Sequence, residues 1–293
     1  MHPAPSIILF TVLSGLGFGL MIFLGLGMPS PTGISAFIWF AIAYILAVGG
    51  IISSTFHLGN PKNILKSFSQ WRTSWLSREG CLAVATLLVM GVYGAALVFL
   101  NMRIPLLGYV GSALALATVY GTSMIYAQLK TVPRWNHPTT SVMFIAYAVS
   151  GGALLAGQVS LAVWFLPAAA LLQLFIFLTA DSRFSAAGST IASATQLGNI
   201  GSVRQFEPPH TGSNYLMKEM IHVVGRKHAM KLQVISVVLL FTPVLLLLLP
   251  FSHALALVAV LAHVAGAIVA RWFFFAQAEH VVGLYDDKRQ GRW

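Results

Sequence analysis

The amino-acid sequence predicts an all-α integral membrane protein: a bundle of eight transmembrane helices with both termini on the cytoplasmic side. Three observations predict it. Charge is scarce, since 8% of the 293 residues are Asp, Glu, Lys or Arg and 57% are hydrophobic, whereas ordinary soluble proteins carry roughly 25% charged residues. Eight runs of mostly apolar residues reach the length of about 20 that crosses a bilayer as a helix. Alternating strand-like periodicity is absent, which argues against a β-barrel. A mean hydropathy of +0.82 agrees. This composition excludes a soluble enzyme, a secreted disulfide scaffold and a disordered chain.

The predicted spans are residues 6–27, 34–56, 80–100, 105–129, 141–158, 161–180, 232–249 and 252–276, in a single membrane domain. The first seven contain no Lys, Arg, Asp or Glu, and the eighth contains only Arg271. The first run differs from a signal peptide because residues 1–6 lack Lys and Arg and no small-residue cleavage site follows. It is read as a permanent span. Only Val159 and Ser160 separate the fifth and sixth runs, so a turn there requires frayed helix ends. Pro167 and Pro243 lie inside runs, where neighbouring helices can re-satisfy the freed backbone groups. Gly15-Leu16-Gly17-Phe18-Gly19 and Gly91-Val92-Tyr93-Gly94 are small-residue patterns that let helices approach closely. They are not nucleotide fingerprints, because no strand precedes them.

Sorting the basic residues by loop sets the orientation. Sixteen of the seventeen Lys and Arg fall on the side that carries the termini and the even-numbered loops, and Arg103 alone lies opposite. Lys and Arg are retained on the cytoplasmic side of membrane proteins, so both termini are expected there. Contact with anionic lipid then accounts for the net charge of +10 without nucleic acid. Cys81, the single cysteine, excludes a disulfide framework and a cysteine-ligated cluster within this chain.

Polar mass concentrates on the same side, in residues 57–79, in the large cytoplasmic loop 181–231 and in the C-terminal tail. In the large loop, Ser213 or Asn214 could cap a helix whose apolar stripe runs through Tyr215, Leu216, Glu219, Met220, Val223 and Val224. Such a helix either lies on the bilayer or docks a soluble partner. The segment is not low-complexity, which favours docking. No internal repeat is visible, which weighs against a transporter built from inverted halves.

Ionisable residues at membrane depth are functional candidates. His57 and Glu79 both sit at the cytoplasmic boundary, and Arg271 reaches about the same level in the last span. A histidine and a carboxylate at a bilayer edge could exchange protons with a lipid-soluble redox carrier. Quinone interconversion needs two protons along with two electrons. Blander roles are also open: an interfacial histidine, N-capping of the third helix by Glu79, and snorkelling by Arg271. His253 and His263 share the last helix ten residues apart, about 15 Å at 1.5 Å per residue, so one haem iron cannot take both. His263 is expected to be hydrogen-bonded within the bundle.

The eight-span layout, with Ser54-Thr55-Phe56-His57-Leu58-Gly59 leading to Trp75-Leu76-Ser77-Arg78-Glu79, resembles the dimethyl sulfoxide reductase membrane-anchor family over nearly the whole chain. The opening Met1-His2-Pro3-Ala4-Pro5-Ser6 and the stretch from Glu207-Pro208-Pro209-His210 to Lys218-Glu219-Met220 look closer to one branch, the anchors of membrane-bound, cytoplasm-facing sulfite dehydrogenases. The resemblance implies a complex of three subunits in the bacterial cytoplasmic membrane. A molybdopterin catalytic subunit would exchange electrons, through an iron–sulfur subunit, with a menaquinone or ubiquinone bound in this anchor. The anchor itself would hold no haem and no iron–sulfur cluster. His57 matches the family's quinone-site histidine and Glu79 its nearby carboxylate. Arg271 joins them as a proton-transfer or headgroup candidate, and Arg72, Arg78, Glu207, His210, Tyr215, Lys218 and Glu219 are candidates for docking the partner. Electrons would flow from sulfite to quinone in one branch and from quinol to a terminal acceptor in the other. The competing classes are a secondary transporter, which calls for ionisable groups near the midplane, and an inert structural anchor.

Overall fold

In lipid, a backbone that crosses the bilayer must satisfy its own N–H and C=O groups, and a helix does so within each segment. The computed structural model of the chain describes residues 3–56, 66, 68–204, 206, 220, 228–250 and 252–286. Eight of its helices are long and apolar enough to cross a membrane, and the described residues contain no β-strand. These helices are α1 (Pro5–Leu26), α2 (Gly33–Thr55), α3 (Trp75–Phe99), α4 (Pro105–Ala127), α5 (Pro138–Leu155), α6 (Val159–Ala186), α7 (Ala229–Leu247) and α8 (His253–Ala276). Apolar side chains such as Ile45, Leu88, Leu106, Trp164, Leu178 and Leu257 stand exposed on the outside, as a lipid-facing surface requires.

Several boundaries differ from the sequence expectation for identifiable reasons. Helix α3 begins at Trp75 rather than residue 80, with Ser74 in extended conformation before it, so Ser77, Arg78 and Glu79 form part of its first turns. Helix α5 begins at Pro138, a residue pre-set for the first helical position, and the His137 side chain caps it by accepting from the Thr139 N–H at 3.3 Å. Helix α6 runs past residue 180 to Ala186. Its extra turns are anchored by the Asp181–Arg134 ion pair and by Arg183 Nη1, which donates to the Arg134 carbonyl at 3.2 Å. The large loop is correspondingly shorter than residues 181–231, and it contains a five-residue helix, Ile191–Thr195, closed by a Thr190/Ser193 capping box.

The tight α5–α6 connection needs no fraying. Gly157 adopts φ +67°, Gly157 N–H donates to Leu154 O at 3.1 Å and Gln158 N–H donates to Ala153 O at 2.9 Å. This pair of bonds is a Schellman ending, in which the residue after the cap must enter the left-handed region.

Helix α1 forms the centre of the bundle. Of its most apolar stretch 78% is buried, against 17% for α7. It packs on α2, α4 and α5, while α3 pairs with α4, α6 with α5, and α7 with both α6 and α8. Helix α8 closes against α5 and the first turns of α1, which pass through a π-helical segment at Phe10–Ser14. The missing side chains of Gly17 and Gly19 permit this close packing of α1. A Cβ at Gly17 would lie 2.7 Å from the Ala43 carbonyl oxygen, and one at Gly19 2.8 Å from the Ala148 carbonyl carbon. Gly15, in the same pattern, has open space instead.

An aromatic floor seals the end of the bundle that carries the even-numbered loops. Trp135 stacks on Phe274 at 5.2 Å and donates from Nε1 to the Phe274 carbonyl at 3.0 Å. Tyr126 stacks on Phe144 and meets Phe274 and Phe275 edge-on. These contacts tie the 128–137 loop to the end of α8.

Candidate functional site

Glu79 is the fifth residue of α3 and is 7% exposed. It does not cap its helix, because the chain is already helical four residues earlier; the capping role considered from the sequence is therefore excluded. Its carboxylate turns into the bundle toward α4, where Thr122 Oγ1 approaches Oε1 at 3.3 Å. Gly121 makes room there: a Cβ at that position would stand 3.4 Å from the Glu79 Cα. Thr122 Oγ1 also lies 3.1 Å from the Thr118 carbonyl.

Arg271 is 2% exposed, which excludes snorkelling. Its guanidinium lies 3.4 Å above the Phe144 ring centroid, with Tyr147 at 5.4 Å and Phe274 at 5.7 Å. Aromatic faces attract a cation through their quadrupole, most strongly when desolvated. They do not supply hydrogen-bond acceptors in the plane of the fork, and Nε and Nη1 have no hydrogen-bond partner among the described residues. Glu79 and Arg271 form no ion pair. They are brought into relation through α4: Tyr126 lies within electrostatic reach of both, and Thr122, which donates to Glu79, lines the same cavity as Arg271.

That cavity of about 20 Å³ is lined by residues of α1, α4, α5 and α8, including Thr11, Ser14, Thr122, Tyr147, His263 and Arg271. Against expectation, His263 makes no well-formed hydrogen bond among the described residues, although the Tyr147 backbone faces it. Tyr147 directs its hydroxyl away, donating to Gln173 Oε1 at 2.6 Å.

Among the docking candidates, Arg78 is occupied locally. Its Nε donates to the Trp71 carbonyl at 2.9 Å, its Nη2 donates to the Arg72 carbonyl at 2.6 Å, and its guanidinium covers the Trp75 ring at 4.5 Å. It pins the turn before α3. Arg72 is exposed above Trp71, on the same turn. His57, Glu207, His210, Tyr215, Lys218 and Glu219 lie outside the described residues, as does most of the apolar stripe beginning at Tyr215. Among the described residues, no three His, Cys, Asp or Glu side chains gather into a metal-binding group.

Reasoning from sequence missed Thr122, Tyr126 and Tyr147. Depth was the available signal for Thr122 and Tyr126: both lie within six residues of the end of α4, level with Glu79 in α3. For Tyr147, ten residues into α5, the sequence offered no comparable pointer.

The family model for the DMSO reductase anchor subunit (DmsC) matches residues 1–277. The chain is similar to a sulfite dehydrogenase subunit of Allochromatium vinosum, with 29% identity covering 97% of this chain and 98% of that protein. No solved structure matches. The eight apolar helices describe a multi-pass membrane protein, and the anchor-subunit family implies catalytic and electron-transfer partner subunits. The chain belongs to the DMSO reductase anchor-subunit family.

Proposed function

We propose that this chain is the quinone-reactive anchor of a molybdopterin oxidoreductase complex in a bacterial cytoplasmic membrane, exchanging electrons with quinone through an iron–sulfur partner docked on its cytoplasmic face. Sulfite oxidation is the favoured overall reaction, supported by similarity to a sulfite dehydrogenase subunit along almost the full length of both chains. The sixteen-to-one distribution of basic residues supports cytoplasmic termini.

The observation that carries the quinone reading is the buried Glu79 carboxyl, held by Thr122 at the depth of Arg271 and at the bundle end where the partner would dock. The residues fit a quinone in their chemistry. When bound, the quinone accepts two electrons and two protons. Glu79 holds a proton at Oε1 or releases it, and Thr122 follows: its hydroxyl donates to an ionised Glu79, or accepts from a protonated one while donating to Thr118. Arg271 supplies buried positive charge at the cavity that Thr122 also lines. The cavity beside Arg271, about 20 Å³, admits water but no quinone ring. The headgroup is therefore assigned to Glu79 rather than to this cavity beside Arg271, and His57 stays a candidate from the sequence.

A quinol-oxidising direction is the second reading, favoured by the family description as a reductase anchor. Purification of the complex through a tag on this chain tests both. The proposal expects molybdenum and iron to co-purify and sulfite to reduce a quinone analogue. A metal-free preparation would overturn it, and quinol oxidation without sulfite activity would select the second reading.

A further inference from the structure

Arg271 and His263 stand eight residues apart on α8, about 12 Å along the helix axis at 1.5 Å per residue. Each is 2% exposed. Nε and Nη1 of Arg271 are buried without a hydrogen-bond partner among the described residues, and the His263 ring has only the Tyr147 backbone nearby, in no well-formed bond. A buried donor or acceptor left unsatisfied costs about 1–3 kcal/mol, and more when it is charged. Nitrogens so poorly served, on two residues that line one cavity, are not what a dry apolar void presents.

The remaining polar lining is arranged to receive a hydrogen-bond donor. Thr11 Oγ1 donates to the Ile8 carbonyl at 3.1 Å and Ser14 Oγ to the Phe10 carbonyl at 2.6 Å. Their hydrogens are used along α1, and their oxygen lone pairs remain as acceptors. Both residues belong to the π-helical segment, a departure from regular helix that often marks functional positions. Thr122 is spoken for in the same way by the Thr118 carbonyl and Glu79. A buried water needs at least about 10–15 Å³ and two to four polar partners. The cavity provides about 20 Å³ and five polar side chains besides Tyr147, whose hydroxyl is taken by Gln173.

We propose that this cavity is a buried water site shared by Arg271, His263 and Thr122, and that it couples His263 to the Glu79 carboxyl. His263 is the eleventh of the twenty-four residues of α8, so the site has one wall near the middle of that helix. The water donates to His263 or accepts from it, satisfies the Arg271 fork, and fixes the orientation of the Thr122 hydroxyl that serves Glu79. His263 and Arg271 are positioning residues in this scheme. The water site stands without the quinone reading; its use in quinone proton exchange rests on that reading.

The test is X-ray radiolytic labelling of the intact complex in H2(18)O, joined to infrared spectra of the Glu79 carboxyl. Phe144 and Tyr147 line the cavity, whereas the similarly buried Phe40 and Tyr93 do not. The proposal expects labelling of Phe144 and Tyr147 several-fold above Phe40 and Tyr93. It expects that excess to fall in His263→Leu and to persist in His263→Asn, which keeps a hydrogen-bonding side chain. The carboxyl C=O band, identified by its loss in Glu79→Gln, should shift in His263→Leu and return in His263→Asn. If His263→Leu fails to assemble, the near-isosteric Thr11→Val takes its place with the same expectation for labelling and band. Labelling of Phe144 and Tyr147 no higher than that of the reference rings would overturn the water site. A labelled cavity with an unmoved Glu79 band in either variant would overturn the coupling. Headgroup chemistry is read separately, from quinone turnover in Glu79→Gln, so either conclusion can fail alone.

Discussion

Thr122 Oγ1 lies 3.3 Å from Glu79 Oε1 and 3.1 Å from the carbonyl of Thr118, one turn back on its own helix. A single hydroxyl hydrogen cannot serve both acceptors fully. The pair therefore has two hydrogen-bonding states, one for an ionised and one for a protonated Glu79. Hydrogen bonds to charged groups contribute about 1.5–3 kcal/mol, equivalent to roughly 10–100-fold. Thr122→Val is expected to lower quinone-linked turnover by about 10-fold or more on that basis. Thr122→Ser should retain most of it, and dye-linked turnover should be unaffected in both variants. Steady-state assays of purified complexes check this.

Arg271 separates stability from function. Taking a charge out of water costs several kcal/mol unless a partner and further hydrogen bonds repay it. Arg271 rests on Phe144 and leaves two nitrogens without protein partners among the described residues, so it is poorly compensated as a structural element. Arg271→Met is expected to assemble with unchanged or higher thermal stability, yet to lose quinone-linked activity. Thermal unfolding and turnover on the same preparation make the comparison.

At Gly19 the prediction concerns assembly. A Cβ there would meet the Ala148 backbone at under 3.0 Å, and backbone cannot move aside as a flexible side chain can. Gly19→Val is expected to prevent stable insertion of α1, costing upward of about 1–3 kcal/mol from overpacking. Gly15→Ala, where nothing lies within 4 Å, should be neutral. The amount of detergent-stable complex recovered from membranes is the readout.

His137 provides a pH dependence outside the spans. Its Nδ1 accepts the Thr139 N–H that caps α5, a role only the neutral ring can fill. Partial burial, reinforced by the positive charge of Arg183, holds its pKa below the ordinary value of 6.5. The unfolded chain therefore binds this proton more readily than the folded one, and stability falls as pH drops from about 6.5 through the lowered folded-state value. His137→Asn keeps a capping acceptor without a titrating ring. It is expected to flatten the acid-side loss of thermal stability between pH 7.5 and 5, apart from a cap difference on the order of 1 kcal/mol at most.

Much of this was legible in the sequence because bilayer physics leaves few choices. Eight charge-poor runs became eight helices, and Glu79 and Arg271 stood out because an ionisable residue at membrane depth is rare. Exact boundaries were not legible where polar residues continue a helix beyond the apolar stretch. Glu79 looked like a cap because hydropathy ends near residue 80, whereas backbone hydrogen bonding begins at Trp75. Asp181 and Arg183 looked like loop residues because their partner, Arg134, lies 47 and 49 positions away in sequence. The pairing of Thr122 with Glu79 depends on which face of α4 turns toward α3, and nearly uniform apolar patterning does not record that rotation. Gly17 and Gly19 carried their meaning in composition, but which partner helices they admit follows only from packing.

The most direct measurement compares quinone-linked with dye-linked turnover in the fully assembled Glu79→Gln complex. Glutamine preserves the shape of the side chain and its contact with Thr122 but cannot exchange a proton. If Glu79 exchanges protons with bound quinone, quinone-linked turnover should fall at least about 100-fold, in line with the contribution of a positioned acid–base group. Dye-linked oxidation by the partner subunits and the recovery of intact complex should stay at wild-type levels. Unchanged quinone-linked turnover in an intact Glu79→Gln complex would contradict the assignment of this buried carboxyl to quinone chemistry.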